Sequence, residues 1–166
     1  LLLAAGVWLT ASRLYRTVPA AVALTAAMTL RHAISRTGTN TLEAYFHPRQ
    51  LAFALGVLGL AAYLHACGGA RGGLRWMLPG VLVFAAGLLH PTTALWFAVW
   101  IGAALAIEQR RLRAPILAAA AAAGGAAAWM LAAGPLAGRL RVMDPEWLAT
   151  LASKDYLFPG DWPLDV

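Results

Sequence analysis

Residues 17–30, 50–70, 76–107 and 114–138 contain no Asp, Glu, Lys or Arg. This segregation of charge constrains the fold more than any motif in the chain. A soluble domain intersperses charge over its surface, and apolar stretches this long would leave large exposed patches unless hydrocarbon replaced water as the solvent. The totals agree, at 61% hydrophobic and 12% charged, against about 45–50% and 25% for an ordinary soluble domain. The expected fold class is all-α, a polytopic transmembrane helical bundle.

A spanning helix needs about 20 apolar residues, with a range of roughly 17 to 25. Six segments approach that length: Leu1–Ala11, Val18–Leu30, Leu51–Ala66, Trp76–Leu89, Thr92–Ile107 and Pro115–Ala133. The expectation is therefore about six spans, with the helical bundle over 1–133 and an interfacial or extracytoplasmic tail over 134–166. Several blocks are short, so flanking residues such as Arg31 and Arg75 extend them by snorkelling. The first block opens in apolar sequence without a basic n-region or an A-x-A-like cleavage site, which reads as a fragment and not as a signal peptide. The C-terminus reads as truncated too.

The run 76–107 is too long for one span, about 48 Å as a continuous helix, and short for two. His90–Pro91 divides it into two helices joined by a tight turn, because Pro is tolerated in a first helical turn and Thr92 and Thr93 can satisfy local polar groups. Pro79–Gly80 marks a kink in the incoming helix. Pro115–Ala133 is nearly poly-alanine with Gly124–Gly125 inside, a composition suited to close helix packing.

The loops divide by charge. Arg13, Arg16, Arg71, Arg75, Arg110, Arg111 and Arg113 fall on one side with the single acid Glu108, whereas the other side carries six basic and six acidic residues. Cytoplasmic loops collect Arg and Lys, which assigns 13–17, 68–75 and 108–114 to the cytoplasm of a multi-pass inner-membrane protein. The net charge of +6 thus sets topology. Arginines scattered in ones to threes beside apolar runs form no stripe for nucleic acid, and none is expected as a partner. Twelve arginines against one lysine, with abundant Ala and Gly, are the usage of a GC-rich bacterial genome. The lone Cys67 offers no internal disulfide and no C-x-x-C zinc spacing.

Candidate chemistry concentrates in the outer loop, where Arg31, His32, Arg36, Glu43, Tyr45, His47 and Arg49 lie within twenty residues. Arginine forks engage phosphate oxygens, and an acid among them can act as general base or metal ligand. Structural alternatives stand beside each assignment. Asn40 and Glu43 have the spacing of a capping box. Pro48 can open the next helix, with Arg49 anchoring it at the headgroups. His90 is a candidate because an ionisable group near membrane depth is functional by default, but it can equally bond to its own turn. His65 reads as a satisfied imidazole at a helix end. Asp144-Pro145-Glu146 could bring two carboxylates to one cation, or open a helix with Asp144 as N-cap and Pro145 at N1. The histidines have no H-x-x-x-H spacing, and no Walker loop, G-x-G-x-x-G or G-x-S-x-G occurs.

The stretch Glu43-Ala-Tyr-Phe-His-Pro-Arg-Gln-Leu-Ala-Phe-Ala-Leu, followed by a span, an Arg-containing turn and Leu-Leu-His90-Pro91-Thr-Thr-Ala-Leu-Trp, resembles bacterial polytopic glycosyltransferases of the GT-C type over residues 40–108. The resemblance implies a membrane enzyme that takes a sugar from a polyprenyl-phosphate carrier at the outer face, using an external acid and often a divalent metal ion. Carried onto this chain, Glu43 is the catalytic acid or base, and His47, Arg49 and His90 bind substrate. The family's external diacid is not found in 31–50, where Glu43 is the only acid. The alternative is a non-enzymatic transporter or assembly subunit. The topology predicts that reporter fusions near Gly72 and near Thr39 report opposite sides of the membrane; the same side for both would remove it.

Overall fold

The structure is a computed structural model that describes residues 1–28, 30, 47–67, 73–139 and 144–151. All regular structure among them is helical. Helices α1 (Leu2–Tyr15), α2 (Val18–Ala27), α3 (Pro48–Cys67), α4 (Gly73–Leu89) and α5 (Pro91–Glu108) are followed by a 3₁₀ turn at Arg110–Leu112, then α6 (Arg113–Ala132) and α7 (Pro145–Leu151). The chain divides into two compact units, one of residues 1–34 and 39–104, the other of 35–38 and 105–166.

The first unit is organised around α3. Its buried residues Ala52, Gly56, Gly59, Tyr63 and Ala66 recur at steps of three and four, so they form one stripe, and Ala54 and Ala61 form a second. Nearly all are small, which lets neighbouring backbones approach closely. Gly6 of α1 packs on Val57 and Leu58, where an added Cβ would lie 3.0 Å from Val57 Cγ1 and 3.1 Å from the Leu58 nitrogen. Gly59 faces Val83 and the Pro79 carbonyl of α4. Ala52, Ala86 and Ala94 join α3, α4 and α5 in one apolar cluster flanked by Leu55 and Val83. Phe97 of α5 stacks edge-on against Phe53 at 5.6 Å and occupies the space beside Gly56.

These pairings fix directions. Gly6 lies beside Val57 and Arg13 beside Leu64, so α1 and α3 run parallel. Ala52 lies with Ala86, Gly59 with Val83, and Tyr63 with Trp76, so α4 runs antiparallel to α3. His47 and His90 therefore share one end of this unit, and Arg13, His65 and Arg75 share the other.

The distribution of size is inverted relative to a soluble core. Among the described residues the buried apolar positions are mostly alanines, with no large side chain fully buried, while Leu88 is 75% exposed, Trp96 70% and Phe84 70%. Among the described residues three helices are long and apolar enough to cross a membrane: Pro48–Cys67, Pro91–Glu108 and Arg110–Ala132, the last counted with its 3₁₀ turn. The other three segments expected to span are shorter, at 14 residues for α1, 10 for α2 and 17 for α4. The first block nevertheless continues past Ala11 to Tyr15, because Arg16 adopts a left-handed conformation (φ 55°) that stops the helix.

In the second unit α6 is exposed along nearly its whole length. Helix α7 opens as the Asp-Pro-Glu pattern allows: Asp144 Oδ1 accepts the Trp147 N–H at 2.8 Å, with Pro145 in the first turn. That cap accounts for Asp144 without a cation.

A Cβ at Gly56 would collide with the Phe97 ring, whereas one at Gly124 meets nothing within 4 Å. Gly56→Ala is therefore expected to lower stability by about 1–3 kcal/mol through overpacking. Gly124→Ala should be neutral or stabilising by up to about 1 kcal/mol through helix propensity. Detergent unfolding of the two variants measures the contrast, and equal behaviour would refute the packing.

Candidate functional site

Both histidine–proline pairs start helices. His47 precedes Pro48 at the head of α3, and its Nδ1 accepts the Arg49 N–H at 3.1 Å, while its carbonyl accepts the Gln50 N–H at 2.9 Å. His90 precedes Pro91 at the head of α5. Its Nδ1 accepts the Thr93 N–H at 3.3 Å and faces the Thr93 hydroxyl at 2.8 Å and the Thr92 hydroxyl at 3.1 Å. The physical reason is common to both. The first N–H groups of a helix lack intrahelical acceptors, Pro removes one of them, and an imidazole lone pair satisfies another.

A backbone N–H can only donate, so Nδ1 in each ring is the acceptor and the ring proton resides on Nε2. At His90 three donors converge on a single lone pair. The hydroxyls of Thr92 and Thr93 thus compete for it and hold the imidazole plane in place.

The two rings lie 6.5 Å apart, centroid to centroid, at 64°. They meet because α3 and α5 run in the same direction from neighbouring starts, held by the Ala52–Ala94 contact and the Phe53–Phe97 pair. The half-buried Arg49 lies two residues beyond His47 in the first turn of α3. This end thus combines two capped helix N-termini, two half-buried imidazoles and an arginine, a set suited to binding an anion. Glu43, Asn40, Tyr45, Arg31, His32 and Arg36 lie outside the described residues. Among the described residues, no group of three or more His, Cys, Asp or Glu could hold a metal ion.

At the opposite end of the first unit an arginine caps a helix C-terminus. Arg13 Nε donates to the Leu64 carbonyl at 3.1 Å near the end of α3. In the second unit, Arg113 Nε donates to the Ala106 carbonyl at 2.6 Å near the end of α5. Cationic donors at carbonyl-rich helix ends are favourable both as hydrogen bonds and against the helix dipole. His65 Nε2 donates to the Leu9 carbonyl at 3.3 Å, the satisfied imidazole expected there. Charge counting alone did not reveal these capping roles, because each donor lies seven or more residues from its carbonyl.

No protein-family model, curated protein or solved structure matches the chain.

Removing the cap at His90 should cost about 1 kcal/mol, the usual scale for losing an N-cap acceptor. His90→Ala is expected to show that loss in detergent unfolding, and His90→Asn, whose side-chain oxygen can replace Nδ1, to retain most of the stability. Equal losses in both variants would show that Nδ1 is not the stabilising group.

Proposed function

We propose that this chain belongs to a bacterial inner-membrane protein of about six spans, with a GT-C-like glycosyltransferase activity at the outer face on a polyprenyl-phosphate-linked sugar. The observation that carries the reading is the convergence of His47, Arg49 and His90 at one end of a helical unit, with the His47 and His90 rings 6.5 Å apart. The capping arginine Arg13 lies at the other end of that unit.

The membrane setting is supported by the inverted packing, small residues inside and Leu, Phe and Trp outside, which suits helices solvated by lipid. The positive-inside rule then places the arginine end in the cytoplasm and the histidine end outside.

At the outer end the two helix N-termini and Arg49 provide the positive field for a carrier phosphate. The Nε2–H of His90 adds a donor once its Nδ1 has capped α5, and the His47 ring lies 6.5 Å away. Glu43, four residues before His47 in the sequence, supplies the acid as general base or as ligand to a divalent metal ion. A transporter would need polar groups along its helices, but among the described residues both span histidines, His65 and His90, lie at helix ends.

The test is photo-crosslinking of the full-length protein in membranes with a diazirine-bearing polyprenyl phosphate. Wild type should label, and Arg49→Ala should reduce labelling by about tenfold or more, the scale of one charge-assisted phosphate contact. His90→Asn, which keeps the cap, should label while losing transfer. Unchanged labelling and turnover in Arg49→Ala would overturn the assignment.

A further inference from the structure

Arg16 occupies a position where its backbone is at a disadvantage. It closes α1 with φ 55° and ψ 16°, the left-handed region that Gly ordinarily fills after a helix, and among the described residues it is the one non-glycine with positive φ. An arginine there is strained relative to glycine, because its Cβ crowds the following carbonyl oxygen. Non-glycine residues held in that region cluster where a side chain is needed for function.

The side chain faces a notch of about 190 Å³ between α1 and α2, lined by Trp8, Ser12, Arg16, Thr17, Val18 and Ala21. Trp8 and Ser12, four residues apart, share a face of α1, and Arg16 follows at its left-handed C-cap. The notch is amphipathic along that face. Arg16, Ser12 and Thr17 line its polar part, and Trp8, Val18 and Ala21 its apolar part.

Arg13, one turn earlier, is committed to the Leu64 carbonyl, but the Arg16 guanidinium has no hydrogen-bond or ion-pair partner among the described residues. The Thr17 hydroxyl makes no cap to α2, and the first turn of α2 carries no acid that would repel an anion. Arg16 and Thr17 thus bring a guanidinium and a hydroxyl to the rim of an open notch that also has apolar lining residues.

We propose that this notch binds the phosphate of an anionic phospholipid, with Arg16 and Thr17 on phosphate oxygens and an acyl chain against Trp8. The planar guanidinium fork matches two phosphate oxygens at once. The apolar wall favours a lipid over free phosphate, since inorganic phosphate would leave Trp8 and Val18 uncovered. The inference rests on the membrane reading above but not on the chemistry at the histidine end.

The discriminating variant is Arg16→Gly, because glycine suits the left-handed backbone and leaves the fold intact while removing the guanidinium. The full chain purified in detergent is mixed with phosphatidylglycerol or phosphatidylcholine and the retained lipid is read by native mass spectrometry. Co-flotation with vesicles of the same two lipids is measured in parallel.

Wild type should retain phosphatidylglycerol preferentially. Arg16→Gly should weaken that retention about tenfold, Arg16→Lys should fall between, and Arg110→Ala, at an exposed arginine outside the notch, should change nothing. Inorganic phosphate at millimolar concentration should not displace the lipid. Equal retention by wild type and Arg16→Gly would overturn the proposal, as would equal losses in Arg16→Gly and Arg110→Ala. Displacement by inorganic phosphate would identify a free-phosphate site and overturn the lipid assignment. Wild type failing to float with either vesicle would overturn the membrane reading and the lipid site with it. Flotation without a preference for phosphatidylglycerol would overturn the site alone.

Discussion

Close packing along a stripe of small residues on α3 is the constraint on which the first unit depends. Ala52, Gly56 and Gly59 let α4 and α5 approach, and Gly6 brings α1 against Val57 and Leu58. Among the described residues the buried apolar side chains are mostly alanines, so close backbone approach replaces much of the interdigitated Leu and Phe of a soluble core. Such packing gains little from expelling water and much from van der Waals contact, which suits helices in hydrocarbon. It also explains why bulk is directed outward at Phe84, Leu88 and Trp96.

This arrangement gives the unit two chemically different ends. At one, imidazoles cap the N-termini of α3 and α5, where electron-pair acceptors are needed. At the other, the Arg13 guanidinium meets a C-terminal carbonyl of α3, where donors are needed. The helix dipole alone would favour that assignment of charge. In the membrane orientation proposed above, the Arg13 end of this unit faces the cytoplasm and the histidine end the outer side. The structural role of each histidine is fulfilled by its Nδ1, which accepts a first-turn N–H.

Much of the architecture was legible because the charge-free blocks are helices. His90 separates two of them as the length argument required, and Asp144 caps α7 as its spacing allowed. Helix ends were less legible, since hydropathy marks where apolar residues stop and hydrogen bonding continues beyond them. Helix α3 thus starts at Pro48 and not Leu51, and α1 continues to Tyr15. The short α2 shows the reverse, because its apolar block exceeds the regular helix, which ends at Ala27. At the site, Pro48 and Pro91 signalled helix starts, but the pairing of His47 with His90 depends on α3 and α5 being parallel, which no local pattern encodes. Glu43 lies outside the described residues, and its part in the site rests on sequence.

The most direct test of the account is the sidedness of the two ends, read by a membrane-impermeant maleimide. Cys67, exposed at the end of α3 and the only cysteine in the chain, should resist labelling in intact cells and react after the inner membrane is permeabilised. A Cys67→Ala, Thr92→Cys variant, with its cysteine beside His90, should react once the reagent reaches the outer face of the inner membrane, without permeabilisation of that membrane. Labelling of both positions from the same side, or with the sides reversed, would contradict the two-ended membrane unit.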